Sequence, residues 1–366
     1  MTLPRITLLA TLLLATPAAA QLQITPPATI PAPEKQKAKE TAKEAAKEKP
    51  KVAPHSITKK KEAGPAPKPS ALPSPTLPAT VIPAPATDNS NVDLVFGAYQ
   101  RGQYKTAFDL ASARAKTGDS KAMTMLGELY SNAMGIRRDY AKAVEWYKRA
   151  SDAGDREAMF ALAMLRIAGR GGPVDKGEAV KLMASAAKLG EPKAAYNLAL
   201  LYLDGQTLPQ DVKRSAELLR QAADAGLPEA QYALATFYKE GTGVPKDPER
   251  SVRLLQAASL ADNVDAEVEY AIAMFNGTGT PKNQPAAVAL LRKASRQGSA
   301  IAQNRLAWVL ISGMGTSVDK VEGFKWHLVA KTAGKGDPEL DKQLADLPAD
   351  DRAKAEAAAK KWLGNK

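Results

Sequence analysis

The chain has 366 residues, with 51 lysines and arginines against 39 acidic residues, a net charge of +12 and no cysteine. Disulfides, thiolate metal sites and cysteine nucleophiles are therefore excluded. The charge is unevenly spread: residues 21–90 hold 11 lysines against 6 acidic residues, which leaves 91–366 only mildly basic and does not suggest a nucleic-acid binder, whose basic residues normally gather on one face.

The chain opens MTLPRITLLATLLLATPAAA. Arg5 supplies a positive start, Ile6 to Ala15 a short apolar run, and Ala18-Ala19-Ala20 a small-residue cleavage site with Gln21 as the new N-terminus. This is the pattern of a secretory signal over 1–20. A membrane anchor needs about 20 apolar residues, and this run is shorter and stops at Pro17. The expectation is cleavage after Ala20, a periplasmic or secreted product, and no stable membrane span afterwards. With no cysteine after the small residues, lipid anchoring is excluded.

Residues 21–90 contain 14 prolines and no tryptophan, tyrosine or phenylalanine. Such a stretch cannot bury a core and is expected to be a disordered linker with polyproline II character. Within it, KAKETAKEAAKEK (37–49) is built from strong helix formers with Glu40–Lys43 and Glu44–Lys47 pairs, and reads as a semi-stiff helical spacer. The linker would span roughly 45 Å as a flexible chain and about 200 Å fully extended. Contact between its lysines and an anionic cell-wall polymer is one reading, and an inert solvated spacer is the other.

From Gly118 the chain repeats itself. Segments beginning at Gly118, Gly154, Gly190, Gly226, Asp262 and Gly298 recur every 36 residues without a gap. Four residues after each start is alanine: Ala122, Ala158, Ala194, Ala230, Ala266 and Ala302. Eight after come Leu126, Leu162, Leu198, Leu234, Tyr270 and Leu306; nine after, a tiny residue from Gly127 to Ala307; eleven after, a mainly apolar one. These offsets share one helix face. Glycines follow, as in Gly241-Thr242-Gly243 and Gly277-Thr278-Gly279, and end that helix. Asp139, Asp175, Asp211, Asp247, Asn283 and Asp319 then stand where a second helix needs its N-cap. The second helix has apolar positions from Val144 to Phe324 and from Trp146 to Trp326, and closes on a constant alanine, Ala150 to Ala330. A single unit of helix, glycine loop and capped helix cannot bury both faces, but a stack can. The fold class is an all-α solenoid of stacked 36-residue helix-turn-helix repeats over 118–335. A capping hairpin is expected at 91–117, from Phe96, Tyr99, Gly102, Tyr104 and Phe108, and capping helices at 336–366, the last from Pro348 to Trp362.

The copy from Ala122 to Gly154, with Leu126-Gly127, Leu129-Tyr130, Gly135, Asp139, Lys142-Ala143 and Trp146-Tyr147, resembles the Sel-1-like repeat, a relative of the tetratricopeptide repeat. The resemblance runs from about 91 to 363. The fifth copy departs most, with Asp262 for glycine, Tyr270 for leucine and Ala273 for leucine, so looser stacking is expected there.

Catalytic chemistry is hard to assemble from this inventory. Of two histidines, His55 lies in the linker and His327 in a second-helix position otherwise held by Tyr147, Met183, Leu219, Leu255 and Leu291. The recurrent aspartates are explained as caps, because a structural device repeats and an active site does not. The glycine loops lack the strand and lysine of a phosphate cradle. No catalytic residue, cofactor or metal is expected.

Binding is assigned to first-helix positions outside the core. Seven after the start come Met125, Ala161, Asn197, Ala233, Glu269 and Arg305; ten after come Glu128, Met164, Leu200, Thr236, Ile272 and Trp308. First helices usually line the concave face of a repeat solenoid. Asn197, Glu269, Arg305, Trp308, Met164 and Thr236 are therefore candidate partner contacts, with Trp308 beside Arg305 the leading anchor. The resemblance implies an exported scaffold or regulator that binds a protein or peptide. The alternatives are a cell-wall or polysaccharide binder and, less favoured, a β-lactamase-like hydrolase of the kind described for cysteine-rich relatives.

Overall fold

The computed structural model describes residues 93–364. The signal segment, the linker with its 37–49 stretch and His55 lie outside the described residues. All the regular structure described is α-helical. A short hairpin, α1 (Leu94–Gln100) and α2 (Tyr104–Ala115), is followed by six helix pairs. These are α3 (Ser120–Asn132) with α4 (Tyr140–Asp152), α5 (Arg156–Ala168) with α6 (Lys176–Lys188), and α7 (Pro192–Asp204) with α8 (Val212–Asp224). Then come α9 (Pro228–Glu240) with α10 (Pro248–Leu260), α11 (Val264–Asn276) with α12 (Gln284–Arg296), and α13 (Ala300–Ser312) with α14 (Lys320–Thr332). The chain closes with α15 (Pro338–Ala345) and α16 (Ala349–Gly364).

Each repeat helix is 13 residues long because both of its ends are set by local chemistry. Every second helix is capped by the predicted Asp or Asn; the Asp247 carboxylate, for example, accepts from the Arg250 N–H at 2.9 Å. The same residue's N–H donates to the carbonyl of Tyr238 at 2.8 Å and so closes the glycine loop. First helices have caps that the sequence reading passed over: Asp119, Asp155, Asn263 and Ser299 each accept from the N–H three residues on. Leu227, in the fourth repeat, holds that position with no side-chain cap.

Packing follows the recurrent positions. Alanines 158, 194, 230, 266 and 302 are fully buried, and so is the closing alanine of every second helix. The tiny residue nine after each start marks close approach within a pair: a Cβ on Gly127 would lie 2.6 Å from the Tyr147 ring. Contact between repeats is set at the second glycine of the loop. Gly279, at φ +70°, sits so close to the preceding repeat that a Cβ would stand 2.3 Å from the Pro248 carbonyl oxygen. In the fifth repeat Asp262 takes the left-handed turn position at φ 58°, and its carboxylate pairs with Lys293 at 2.7 Å. Lys293 also reaches Glu267, which is fully buried with its Oε2 unpartnered.

The ends are closed by aromatic contacts. Phe108 of α2 meets Tyr130 of α3 edge to face, with centroids 5.7 Å apart. At the other end Trp362 of α16 stacks edge-on against Trp326 of α14 at 5.1 Å, and the Lys325 ammonium lies 4.1 and 5.1 Å from the two ring centroids. Among the described residues no helix is long and apolar enough to cross a membrane.

Candidate binding groove on the inner face

Besides the positions that pack each helix pair, first helices present a further stripe, parts of which, as at Tyr196 and Met164, also pack on the core. It comprises the residues three, six, seven and ten after each start, spaced i, i+3, i+4, i+7 as one helix stripe requires. In the N-terminal half these stripes, together with α1, line a groove of about 800 Å³. Phe96 and Tyr99 of α1, Met125 and Glu128 of α3, Phe160 of α5 and Lys193 of α7 form part of its wall, which runs on to Leu227 and Pro228 at the start of the fourth repeat.

The polar groups of this groove are tied together from repeat to repeat. Arg114 spans Asp93 at 2.9 Å and Asp119 at 2.5 Å. Lys121 reaches the next repeat, 3.0 Å from the buried Asp155 carboxylate and 3.2 Å from Glu157. Burial works against the Lys121 charge, but hydrogen bonding and attraction to Asp155, then Glu157, outweigh it and raise its pKa. Arg156 repeats the step, donating to the Leu189 carbonyl at 3.2 Å with Glu191 at 3.7 Å. The Tyr147 hydroxyl donates to Glu128 at 3.0 Å, and burial followed by that carboxylate pushes the phenol pKa far up. Each of these bonds links neighbouring helices, so the polar groups brace the groove wall.

The six residues singled out from the sequence all lie half-buried on this same stripe, but in repeats two to six and outside the lining of the N-terminal groove. Several are engaged within the chain. Asn197 donates to the Lys193 carbonyl at 2.8 Å and Thr236 to the Tyr232 carbonyl at 3.2 Å. Glu269 pairs with Lys239 at 2.7 Å. The Trp308 indole N–H donates to Asp337 at 2.9 Å, tying the sixth repeat to the cap of α15. Met164 packs against the central core cluster. Arg305 makes no hydrogen bond or ion pair among the described residues.

The sequence reading took only half of the stripe, the positions seven and ten after the start. It missed positions three and six, and with them Lys121, Glu157 and Phe160. The spacing held the missing signal, since position three is one helical turn before position seven. His327 is fully buried away from the groove, its Nε2 2.8 Å from Asp341 Oδ1. Among the described residues no group of three or more His, Asp or Glu side chains is placed to hold a metal ion.

Comparison with known proteins extends the repeat analysis. The family model described as Sel1 repeat matches six times, at residues 120–155, 156–191, 192–227, 228–263, 264–299 and 300–335. A search of the curated proteins finds no match. Among solved structures, a protective antigen present in uropathogenic Escherichia coli strains, displaying an SLR fold, is 26% identical over 71% of this chain with a TM-score of 0.62. The alignment covers 56% of that protein, so the chain spans little more than half its length. A Sel1 repeat protein from Oxalobacter formigenes is also 26% identical, over 66% of this chain and 100% of its own, with a TM-score of 0.59. With six consecutive matches in the same 36-residue register that its helix pairs follow, the chain belongs to the Sel1-repeat family.

Proposed function

We propose that this protein is an exported scaffold that holds a protein or peptide partner along the inner face of its solenoid, and that it acts by binding rather than by catalysis. The observation that carries this reading is the stripe itself. Its positions are geometrically equivalent in every repeat yet chemically different, from Lys121, Thr124, Met125 and Glu128 in the first to Ile301, Asn304, Arg305 and Trp308 in the sixth. The core positions hold one chemistry throughout because they serve packing. A surface that varies from repeat to repeat is suited to reading an extended partner. Export rests on the signal pattern over 1–20.

The test is photo-crosslinking in cells, with the reactive residue placed at Phe160 or Thr236 on the inner face and at Lys148 or Arg253 on exposed second helices. Partner adducts from the inner positions alone are expected, with loss of adduct at Thr236 when Trp308→Ala and Arg305→Ala are added. Equal adducts from both faces would refute the inner-face assignment. Cell fractionation checks export: the mature protein should be released with the periplasmic contents and begin at Gln21.

A further inference from the structure

The inner stripe changes character along the solenoid. In the fourth and fifth repeats it carries Glu229 and Asp265, both exposed and three after their starts, and Glu269, one turn beyond Asp265. Asp265 and Glu269 are an i, i+4 pair of like charge on one helix, an arrangement that is unfavourable by itself. Glu240, at the end of α9, adds a fourth carboxylate. Two lysines stand nearby: Lys239 offsets Glu269, and Lys193 has no acidic partner among the described residues. The patch is thus net acidic within a chain of net charge +12.

A second observation is independent of the charge. The stripe position six after the start holds Tyr196 and Tyr232 in successive repeats. Tyr196 is 7% exposed, and its hydroxyl has no partner among the described residues. That hydroxyl lies within the field of Glu229: burial and then this carboxylate raise its pKa. Tyr232 has no side-chain hydrogen bond either, and burial followed by Glu269, Asp265 and Glu240 drives its pKa well up. Although Asp265 is exposed by surface area, the protein packed around it and then Glu269 raise its pKa above the ordinary value. Phenols and carboxylates are crowded together here without bonding one another.

From this arrangement we propose that the inner face of repeats three to five is a cation-reading site whose occupant is an extended peptide rich in lysine or arginine. The inference rests on the scaffold reading above and specifies the partner's chemistry. Asp265 and Glu269 stand about 6 Å apart as helix neighbours, and Glu229 one helix spacing, about 10 Å, away. Alternate residues of an extended chain share one side about 7 Å apart, so basic side chains at every second position match the Asp265–Glu269 spacing, and the reach of a long lysine or arginine side chain covers the distance to Glu229. The half-buried Tyr232 ring beside them offers a face for cation–π contact, and the Tyr196 and Tyr232 hydroxyls, unpartnered among the described residues, can donate to the peptide carbonyls.

The experiment uses the full chain and a short fluorescein-labelled peptide of alternating lysine and serine, read by anisotropy at low and high salt, with a glutamate–serine peptide as counterpart. Three carboxylates are neutralised without change of shape in the variant E229Q/D265N/E269Q. A second variant, E145Q/E217Q/E249Q, removes the same charge from exposed second-helix positions. The lysine peptide is expected to bind the parent chain, to lose at least about ten-fold in affinity in the inner variant, and to change by less than about two-fold in the outer one. Equal loss in both variants would reduce the effect to net charge and overturn the proposal, as would equal binding of the glutamate peptide. No binding of the lysine peptide, with inner-face crosslinks retained in cells, would overturn this inference alone. Absence of both would take the scaffold reading with it.

Discussion

Replacing Gly279 by alanine tests how the repeats are held together. Two costs combine at this position. Its φ of +70° lies in the left-handed region, which costs an L-residue about 1–2 kcal/mol. The new Cβ would also meet backbone of the preceding repeat, 2.3 Å from the Pro248 oxygen and 2.6 Å from its carbonyl carbon, so the first turn of α10 must move. Forced displacement of packed groups costs about 1–3 kcal/mol more, for a total of about 2–5 kcal/mol. Gly226 supplies the control: at φ +85° it has a similar conformational demand, but nothing lies within 4 Å of a Cβ built there, so its alanine variant should lose only about 1–2 kcal/mol. Urea unfolding followed by far-ultraviolet circular dichroism measures both. Because stability in a solenoid is summed over neighbouring interfaces, the Gly279 variant should also show a broadened transition and early proteolysis between the fourth and fifth repeats. If Gly279→Ala proves no more destabilising than Gly226→Ala, the close contact does not govern stacking and the reasoning fails.

Four further outcomes are expected. Ala133 occupies at φ 59° the helix-ending position that the other repeats fill with glycine, so Ala133→Gly should raise stability by about 0.5–1 kcal/mol in thermal unfolding. Lys293→Met strands the buried Glu267 carboxylate and should lower the urea midpoint, whereas Glu267→Met should leave it nearly unchanged in the same titration. The hydrogen bond from Lys331, then that with His327, holds the Asp341 carboxylate below its ordinary pKa; a depressed carboxylate adds stability above the unfolded pKa and loses it as pH falls through the folded one. The urea midpoint should therefore drop below about pH 4, less steeply in Asp341→Asn. Asp247→Ala, which removes a second-helix cap, should cost about 1 kcal/mol by the same measurement.

Sequence alone carried the repeat unusually far, because its determinants are local. An aspartate caps the helix it precedes, a glycine ends the helix it follows, and six copies in one register average out local exceptions such as Leu227. The site was legible only in part. Positions seven and ten were found because they vary beside a constant core. Glu157 and Phe160 were missed because charged and aromatic residues at positions three and six look like an ordinary solvated helix surface until neighbouring helices are set beside them.

The 36-residue register, the helix pairs, their caps and the inner stripe of each first helix were thus determined by the sequence, since each depends on contacts within a few residues. Tertiary structure decided which of those stripe residues remain open. Lys239 and Glu269 stand 30 residues apart and meet at 2.7 Å, and Trp308 spends its N–H on Asp337 across the boundary to the closing helices. The Tyr196 ring is buried, while Arg305 has no partner among the described residues. The physical reason is that periodicity places a residue on a helix face, but the rotation and spacing of the neighbouring helix decide what that face meets.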